Sequence, residues 1–220
     1  ATKHNGIVFM RDCIAREPEH SVSLVVTGCC TNAALLLSVF PDIKRHLRQI
    51  VVLGGSFGGP WENIFPVAEF NIALDPHAAQ IVFQQTEVKI VQIGLNVTHT
   101  ALVSDAVKAQ FSQSNSLIAR VTRGWLKFFG KTYKEFFGMS EPPLHDPLAI
   151  AYCIDESLFK SSFLNLVVET KSELSFGQTI IDVFNLSKRP PNVHVTTKVE
   201  VERFFELLSR ACKKAEEKAA

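Results

Sequence analysis

Short, almost unbroken Val/Ile/Leu runs constrain this chain more than any other feature. Val22–Thr27 (VSLVVT), Gln49–Leu53 (QIVVL) and Val88–Ile93 are separated by stretches of helical length. A strand that is apolar on successive residues is buried on both faces. The pattern therefore predicts an α/β fold with a largely parallel central sheet flanked by helices. Helices are expected over Gly6–Arg16, stopping near Pro18, over Thr31–Phe40 with Thr31 as N-cap, and from Asp75-Pro76 to about Gln85. Asp75 suits the cap position of the last and Pro76 its first turn. In such sheets ligands bind beyond the carboxyl ends of the strands. Chemistry is therefore sought just after Thr27, Leu53 and Ile93.

The second half has a different pattern. Ser104–Phe137 reads as mainly helical, with Gly124 and Gly130 as weak points, followed by a loop over Gly138–His145. Asp146-Pro147 opens a helix to about Ile154. Leu164–Glu169, Gln178–Val183 and His194–Thr197 read as strands, Val199–Cys212 as a last helix, and Lys213–Ala220 as its fraying end. No linker divides the chain, so residues 1–220 are expected to form a single domain. An apolar content of 46% supports a full-size core. The 23 Lys+Arg against 22 Asp+Glu give no electrostatic footprint for nucleic acid or an anionic membrane. No apolar run approaches the roughly 20 residues of a membrane span, and no signal-peptide h-region follows the first residues. The 5 cysteines, without framework spacing, read as reduced thiols of a cytoplasmic protein, mostly in the core. The sequons at Asn96 and Asn185 are short enough to arise by chance.

Three clusters sit where ligands are expected. Thr27-Gly28-Cys29-Cys30-Thr31-Asn32 is a strand–Gly–helix turn, either an anion site or a capped turn. Gly54 to Asn71 is a long loop rich in Gly, with Asn63, Glu69 and Asn71 able to bond polyol hydroxyls, or a solvated connection. In Leu144-His145-Asp146-Pro147, Asp146 before proline is read as a helix N-cap. The adjacent His145, taken alone, is more often a surface loop residue than an acid–base group.

Taken together, the clusters resemble the inosine/uridine-preferring nucleoside hydrolase family. The matches are Thr-Gly-x-x-Thr-Asn (27–32), Val-Val-Leu-Gly-Gly (51–55), Ala-Glu-Phe-Asn-Ile (68–72), Asp-Pro-x-Ala-Ala (75–79) and His-Asp-Pro-Leu-Ala (145–149). Val-Glu-Thr-Lys-Ser-Glu-Leu (168–174), Gly-Gln-Thr (177–179) and Val-Glu-Arg-Phe-Phe (201–205) extend it, so the likeness covers roughly residues 20 to 210. The resemblance implies a Rossmann-like fold and hydrolysis of the N-glycosidic bond of ribonucleosides such as inosine or uridine, at a calcium ion. It implies that the Thr27 carbonyl and the Asp146 carboxylate are calcium ligands. It places Leu53 beside the ribose, makes Asn63, Glu69 and Asn71 ribose-hydroxyl ligands, and makes His145 the acid that protonates the departing base. A cytoplasmic homo-oligomer, dimer or tetramer, is implied too. Tyr133 is a candidate base contact, but a core role on its helix face is the commoner one for a single aromatic there.

The family's opening Asp-x-Asp-Pro-Gly-x-Asp-Asp segment has no counterpart here. The Asp residues stand at 12, 42, 75, 105, 146, 155 and 182, with no cluster among them. The expectation is therefore a C-terminal two-thirds of the family domain whose calcium site is incomplete and whose isolated activity is negligible. The alternative is a truncated, non-catalytic relative that binds a sugar or nucleoside weakly or acts through subunit contacts. A Gly-rich dinucleotide fingerprint and a P-loop lysine are both missing, which argues against a nucleotide-binding Rossmann protein.

Overall fold

The computed structural model describes residues 5–57, 66–111, 114 and 116–219. The chain divides into two compact units, one of Ala1–Asn96 with Lys160–Lys198, the other of Val97–Phe159 with Val199–Ala220.

The first unit runs α1 (Gly6–Ile14), β1 (Val22–Val26), α2 (Thr31–Val39), β2 (Leu47–Leu53), α3 (Phe70–Ala73), α4 (Pro76–Phe83), β3 (Lys89–Ile93) and the start of α5 (Leu95–Thr98), whose Val97 and Thr98 belong to the second unit. It then takes in β4 (Phe159–Val168), β5 (Thr179–Asp182) and β6 (Val193–Val199). The strands form one sheet in the order β1-β2-β3-β6-β4-β5. β1, β2, β3 and β6 pair in parallel, and β4 pairs with β5 antiparallel. The largely parallel sheet anticipated from the apolar runs is present. β2 shows why: every residue in it except Arg48 is buried. Over one face, Leu36 and Leu37 of α2 and Val82 and Phe83 of α4 cluster with Ile50, Val52, Ile90, Val193 and Val195. Ala33, Ala34, Ala78 and Ala79, all buried, keep α2 and α4 slim where they meet. The cysteines depart from expectation, because only Cys30 is buried and Cys13 is exposed.

The cap of α2 also departs from expectation. Cys30 holds the cap position without a side-chain bond, and Thr31 is already helical. The Thr31 hydroxyl donates instead to Asp75 Oδ2 at 2.7 Å. A carboxylate acceptor makes a stronger hydrogen bond than a backbone amide could offer it. Asp75 caps α4 as expected, its Oδ1 accepting from the Ala78 amide.

The second unit contains α6 (Asp105–Gln110), α7 (Leu117–Phe137), α8 (Asp146–Ile154) and α9 (Val201–Ala219). The helical stretch read over Ser104–Phe137 is broken in two. Ser116 caps α7 by accepting from the Ala119 amide, and Arg123 Nη1 donates to the carbonyls of Phe111 and Ser114, fastening the break. Gly124 and Gly130 do not interrupt α7, which ends at Gly138 in the left-handed region, φ 67°. Neither does α9 fray after Cys212; it continues to Ala219.

Candidate functional site

In the first unit the register sets the site. Val26 pairs with Val52 and Leu53 with Ile93. Thr27, Gly54 and Gly94 therefore leave the sheet together at its carboxyl edge. Thr27 is exposed there. Leu53, Glu69 and Asn71 are brought together; all three are buried. Asn71 Nδ2 donates to the Leu53 carbonyl at 3.0 Å. Glu69 Oε2 accepts from the Gly55 amide at 3.0 Å and the Ile72 amide at 3.2 Å, while Oε1 accepts from the Asn71 amide at 2.9 Å. Glu69 is thus both the N-cap of α3 and the clamp on the turn after β2. A carboxylate offers about four acceptor positions, and at least three here serve the backbone.

The turn is held at nearly every polar atom. Gly54 N–H donates to the Ile93 carbonyl, and the Gly54 carbonyl accepts from Gln92 Nε2 at 2.7 Å. The Gly55 carbonyl accepts from the Leu95 amide. Thr179 Oγ1 both accepts from the Ser56 amide and donates to the Ser56 carbonyl. Glycine is required twice. Gly55 sits at φ 70°, and an added Cβ would lie 2.6 Å from Thr179 Cγ2; at Gly54 it would lie 3.0 Å from Glu69 Oε2. Asn63 lies outside the described residues.

Beside the turn, the Thr31 hydroxyl and the Ala78 amide hold the Asp75 carboxyl below its usual range. Burial pushes the Cys30 thiol up to about 12, with Cys29, Glu69 and Asp75 adding to it, so Cys30 is protonated and not a nucleophile.

The second unit holds His145 and Asp146 where α8 begins. The cap position falls on His145 and not on Asp146, which occupies the first helical turn. The Asp146 side chain has no hydrogen bond among the described residues, and partial desolvation raises its pKa. His145 is enclosed in a polar and aromatic cage. Its Nε2 is 2.6 Å from the Tyr133 hydroxyl and its Nδ1 is 2.8 Å from Thr98 Oγ1. The His99 ring faces it at 5.6 Å between centroids, and Phe129 meets it edge-on. Burial, and then the charge of His99, lowers His145 to about 3. The ring is therefore neutral near pH 7. With the proton on Nδ1, His145 donates to Thr98 and accepts from Tyr133, so the three groups form a chain along which a proton can pass.

Reading the sequence missed Thr98 and His99 as partners of His145, and Thr179 and Gln92 as supports of the turn. Thr98-His99-Thr100 follows Ile93 closely, within the region singled out for chemistry. Thr179 lies in the Gly-Gln-Thr match. Tyr133 is buried as its helix position suggested, yet its hydroxyl is committed to His145.

Among the described residues there is no group of three or more His, Cys, Asp or Glu side chains able to hold a metal ion. Nor, among those residues, is any helix long and apolar enough to cross a membrane.

The family described as inosine-uridine preferring nucleoside hydrolase matches residues 1–206, reaching further toward the N-terminus than the resemblance read from about residue 20. A probable ribonucleoside hydrolase of Dictyostelium discoideum is 39% identical over 201 residues, which is 89% of this chain and 58% of that protein. A pyrimidine-specific ribonucleoside hydrolase RihA of Klebsiella pneumoniae is 37% identical over 199 residues, 90% of this chain and 63% of that protein. The chain thus spans about three-fifths of the length of these curated relatives. Among solved structures, a purine-preferring ribonucleoside hydrolase from Gardnerella vaginalis superposes with a TM-score of 0.86 at 29% identity, covering 98% of this chain and 68% of that one. An inosine-uridine preferring nucleoside hydrolase from Bacillus anthracis has a TM-score of 0.72 at 24% identity, over 97% of this chain and 67% of that one, and supports the fold.

Proposed function

The chain belongs to the inosine-uridine preferring nucleoside hydrolase family, and we propose that it carries the ribose-holding and leaving-group half of a ribonucleoside hydrolase. The observation that carries this reading is the hydrogen-bonded chain Tyr133–His145–Thr98. Departure of the base leaves an oxocarbenium-like sugar, and the base leaves readily only if it is protonated. A neutral His145 stores no proton of its own. It can take one from solvent water and give it to the departing base, which leaves neutral while the ring returns to its starting state; the water that adds to the sugar returns a proton to solvent. A positioned acid of this kind contributes about 10²–10⁴-fold.

Leu53, Glu69 and Asn71 are read as the ribose side of the site, with Asn63 from the segment outside the described residues. The bonds of Glu69 to the turn support a role in positioning, with any remaining acceptor position turned to a ribose hydroxyl. Asn71, with Nδ2 committed to Leu53, would accept through Oδ1.

Calcium belongs to this proposal through the family resemblance. The Thr27 carbonyl and the Asp146 carboxylate would supply two of the six to eight oxygens such an ion takes. The described residues do not complete that set. The second reading is a non-catalytic protein that binds a sugar or nucleoside. A cytoplasmic homo-oligomer made from a single-domain portion of the family fold completes the proposal.

The test is release of base from inosine and uridine. It is run on the chain alone and on a fusion that places the family's Asp-x-Asp-Pro-Gly-x-Asp-Asp segment, with the stretch that follows it, ahead of residue 1. Chelator-sensitive release by the fusion, with negligible release by the chain alone, is expected. Tight nucleoside binding without release by either protein would replace the hydrolase reading with the binding one.

A further inference from the structure

The second unit contains a cavity that the hydrolase reading does not use. It has a volume of about 500 Å3 and is walled by Lys108 of α6 and by Arg123, Lys127, Lys131 and Lys134 of α7. That volume is typical of small-molecule sites, which run to about 300–1,000 Å3. Among the described residues, no carboxylate lines it.

The charge is concentrated. α7 carries 5 Lys+Arg against a single Glu, in a chain whose net charge is only +1. At 100° per residue, the five cationic positions of α7 fall within an arc of about 80°. Existing partners neutralise little of this. Lys108 meets Asp105 at 2.8 Å, and Lys131 reaches Glu135 at 3.7 Å across solvent. Lys127 and Lys134 have no carboxylate within ion-pairing distance among the described residues. Arg123 is fixed in place through Nη1 by the carbonyls of Phe111 and Ser114.

We propose that this cavity binds a small polyphosphorylated ligand. Lys127, Lys131 and Lys134 recur along about 10 Å of one helix face. Two or three linked phosphates span a comparable length. Lysine ammoniums are compact point charges, suited to phosphate oxygens approaching from several directions. Cations this close act as a cluster even at physiological salt, where screening extends about 8 Å. Ser140 adds a hydroxyl donor. The floor is apolar and low: Leu126, Gly130 and Pro142 line it, and a Cβ on Gly130 would lie 3.5 Å from Pro142 Cγ. A planar ring attached to the phosphates would rest there, which makes a nucleoside triphosphate one source of the ligand and inorganic tripolyphosphate the other.

Calorimetric titration of the 220-residue chain with tripolyphosphate and with ATP, at 0.15 M salt, tests the proposal independently of any hydrolase activity. Saturable binding with one ligand per chain is expected. Lys127→Glu with Lys131→Glu should weaken it at least tenfold, and both side chains are exposed, so the fold should be retained. The control pair Lys160→Glu with Lys171→Glu makes the same change of charge in the other unit and should leave affinity within twofold. Tighter binding of ATP assigns the nucleotide as the source; equal affinities assign the polyphosphate alone. Failure of both to bind, or equal weakening by the two variant pairs, overturns the proposal.

Discussion

Glu69 offers a direct test of how the candidate site is built. Its carboxylate is only 4% exposed and accepts from three backbone amides, those of Gly55, Asn71 and Ile72. Replacing it by alanine leaves three buried N–H groups without their acceptor and opens a void beside Gly54. Hydrogen bonds to a charged acceptor are worth about 1.5–3 kcal/mol each. Burying the carboxylate offsets part of this, since a desolvated charge is costly. Water entering the void recovers another part. The net expectation for Glu69→Ala is a loss of about 3–4 kcal/mol, in the upper range for single substitutions. Glu69→Gln keeps one carbonyl acceptor but turns an NH2 toward an amide donor, and should cost about 1–2 kcal/mol. Urea unfolding of the three proteins measures the totals. Amide hydrogen exchange locates them: protection should fall first at Gly55, Asn71 and Ile72, ahead of β2 itself. A Glu69→Ala protein that loses less than about 0.5 kcal/mol, or whose Gly55 amide stays fully protected, would refute the argument.

Gly55→Ala forces a Cβ onto a residue at φ 70° and against Thr179, so it should destabilise by more than about 1 kcal/mol. Gly28→Ala, with nothing within 4 Å of the added carbon, should be close to neutral in the same melts. Thr31→Val removes the first cause of the low Asp75 pKa. A carboxylate with a depressed folded pKa contributes stability above its unfolded pKa that is lost as pH falls through the folded one. The variant should therefore raise the Asp75 titration midpoint seen by NMR, and the stability Asp75 contributes near neutral pH should be smaller, with its loss complete at a higher pH. In the active fusion, His145→Ala should lower kcat on inosine by about 10²-fold or more while leaving KM little changed. It should barely affect a nitrophenyl riboside, and equal slowing of both substrates would withdraw the leaving-group role. Asp146→Asn, by contrast, should abolish release from both substrates and weaken calcium binding.

The framework of the first unit could be read because its signals are local. VSLVVT, QIVVL and the strand ending at Ile93 are apolar on consecutive residues, and each became a parallel strand with ends close to those expected. The errors came where a side chain chose a distant partner over a near one. Thr31 has the right residue type and place for a cap, but Asp75, 44 residues away, took its hydroxyl. Arg123 could not be foreseen as the fastening of the α6–α7 break, because nothing in its neighbours marks the carbonyls it reaches. His145 was recognisable within its motif, yet its chemistry depends on Thr98, 47 residues away, and on Tyr133. A motif gives an ionisable residue its position; only burial and neighbours give it a pKa. Hence the neutral ring at His145.

The same distinction explains why a motif match alone understates the roles of Glu69 and Asn71. Read as ribose ligands, they are two polar side chains facing a substrate. In the structure their first partners are the turn itself: Asn71 Nδ2 holds the Leu53 carbonyl, and Glu69 holds the Gly55, Asn71 and Ile72 amides. Gln92 and Thr179 complete the clamp from β3 and β5. The two roles support each other. A site that must hold a sugar whose charge is developing gains most from groups that do not reorganise during reaction. Groups already locked by backbone hydrogen bonds meet that requirement. A substitution at Thr179, which lies behind the turn and was not read as a ligand, should therefore resemble a weaker substitution at Glu69. It would loosen Ser56, then Gly55, and through them the carboxylate that orders α3.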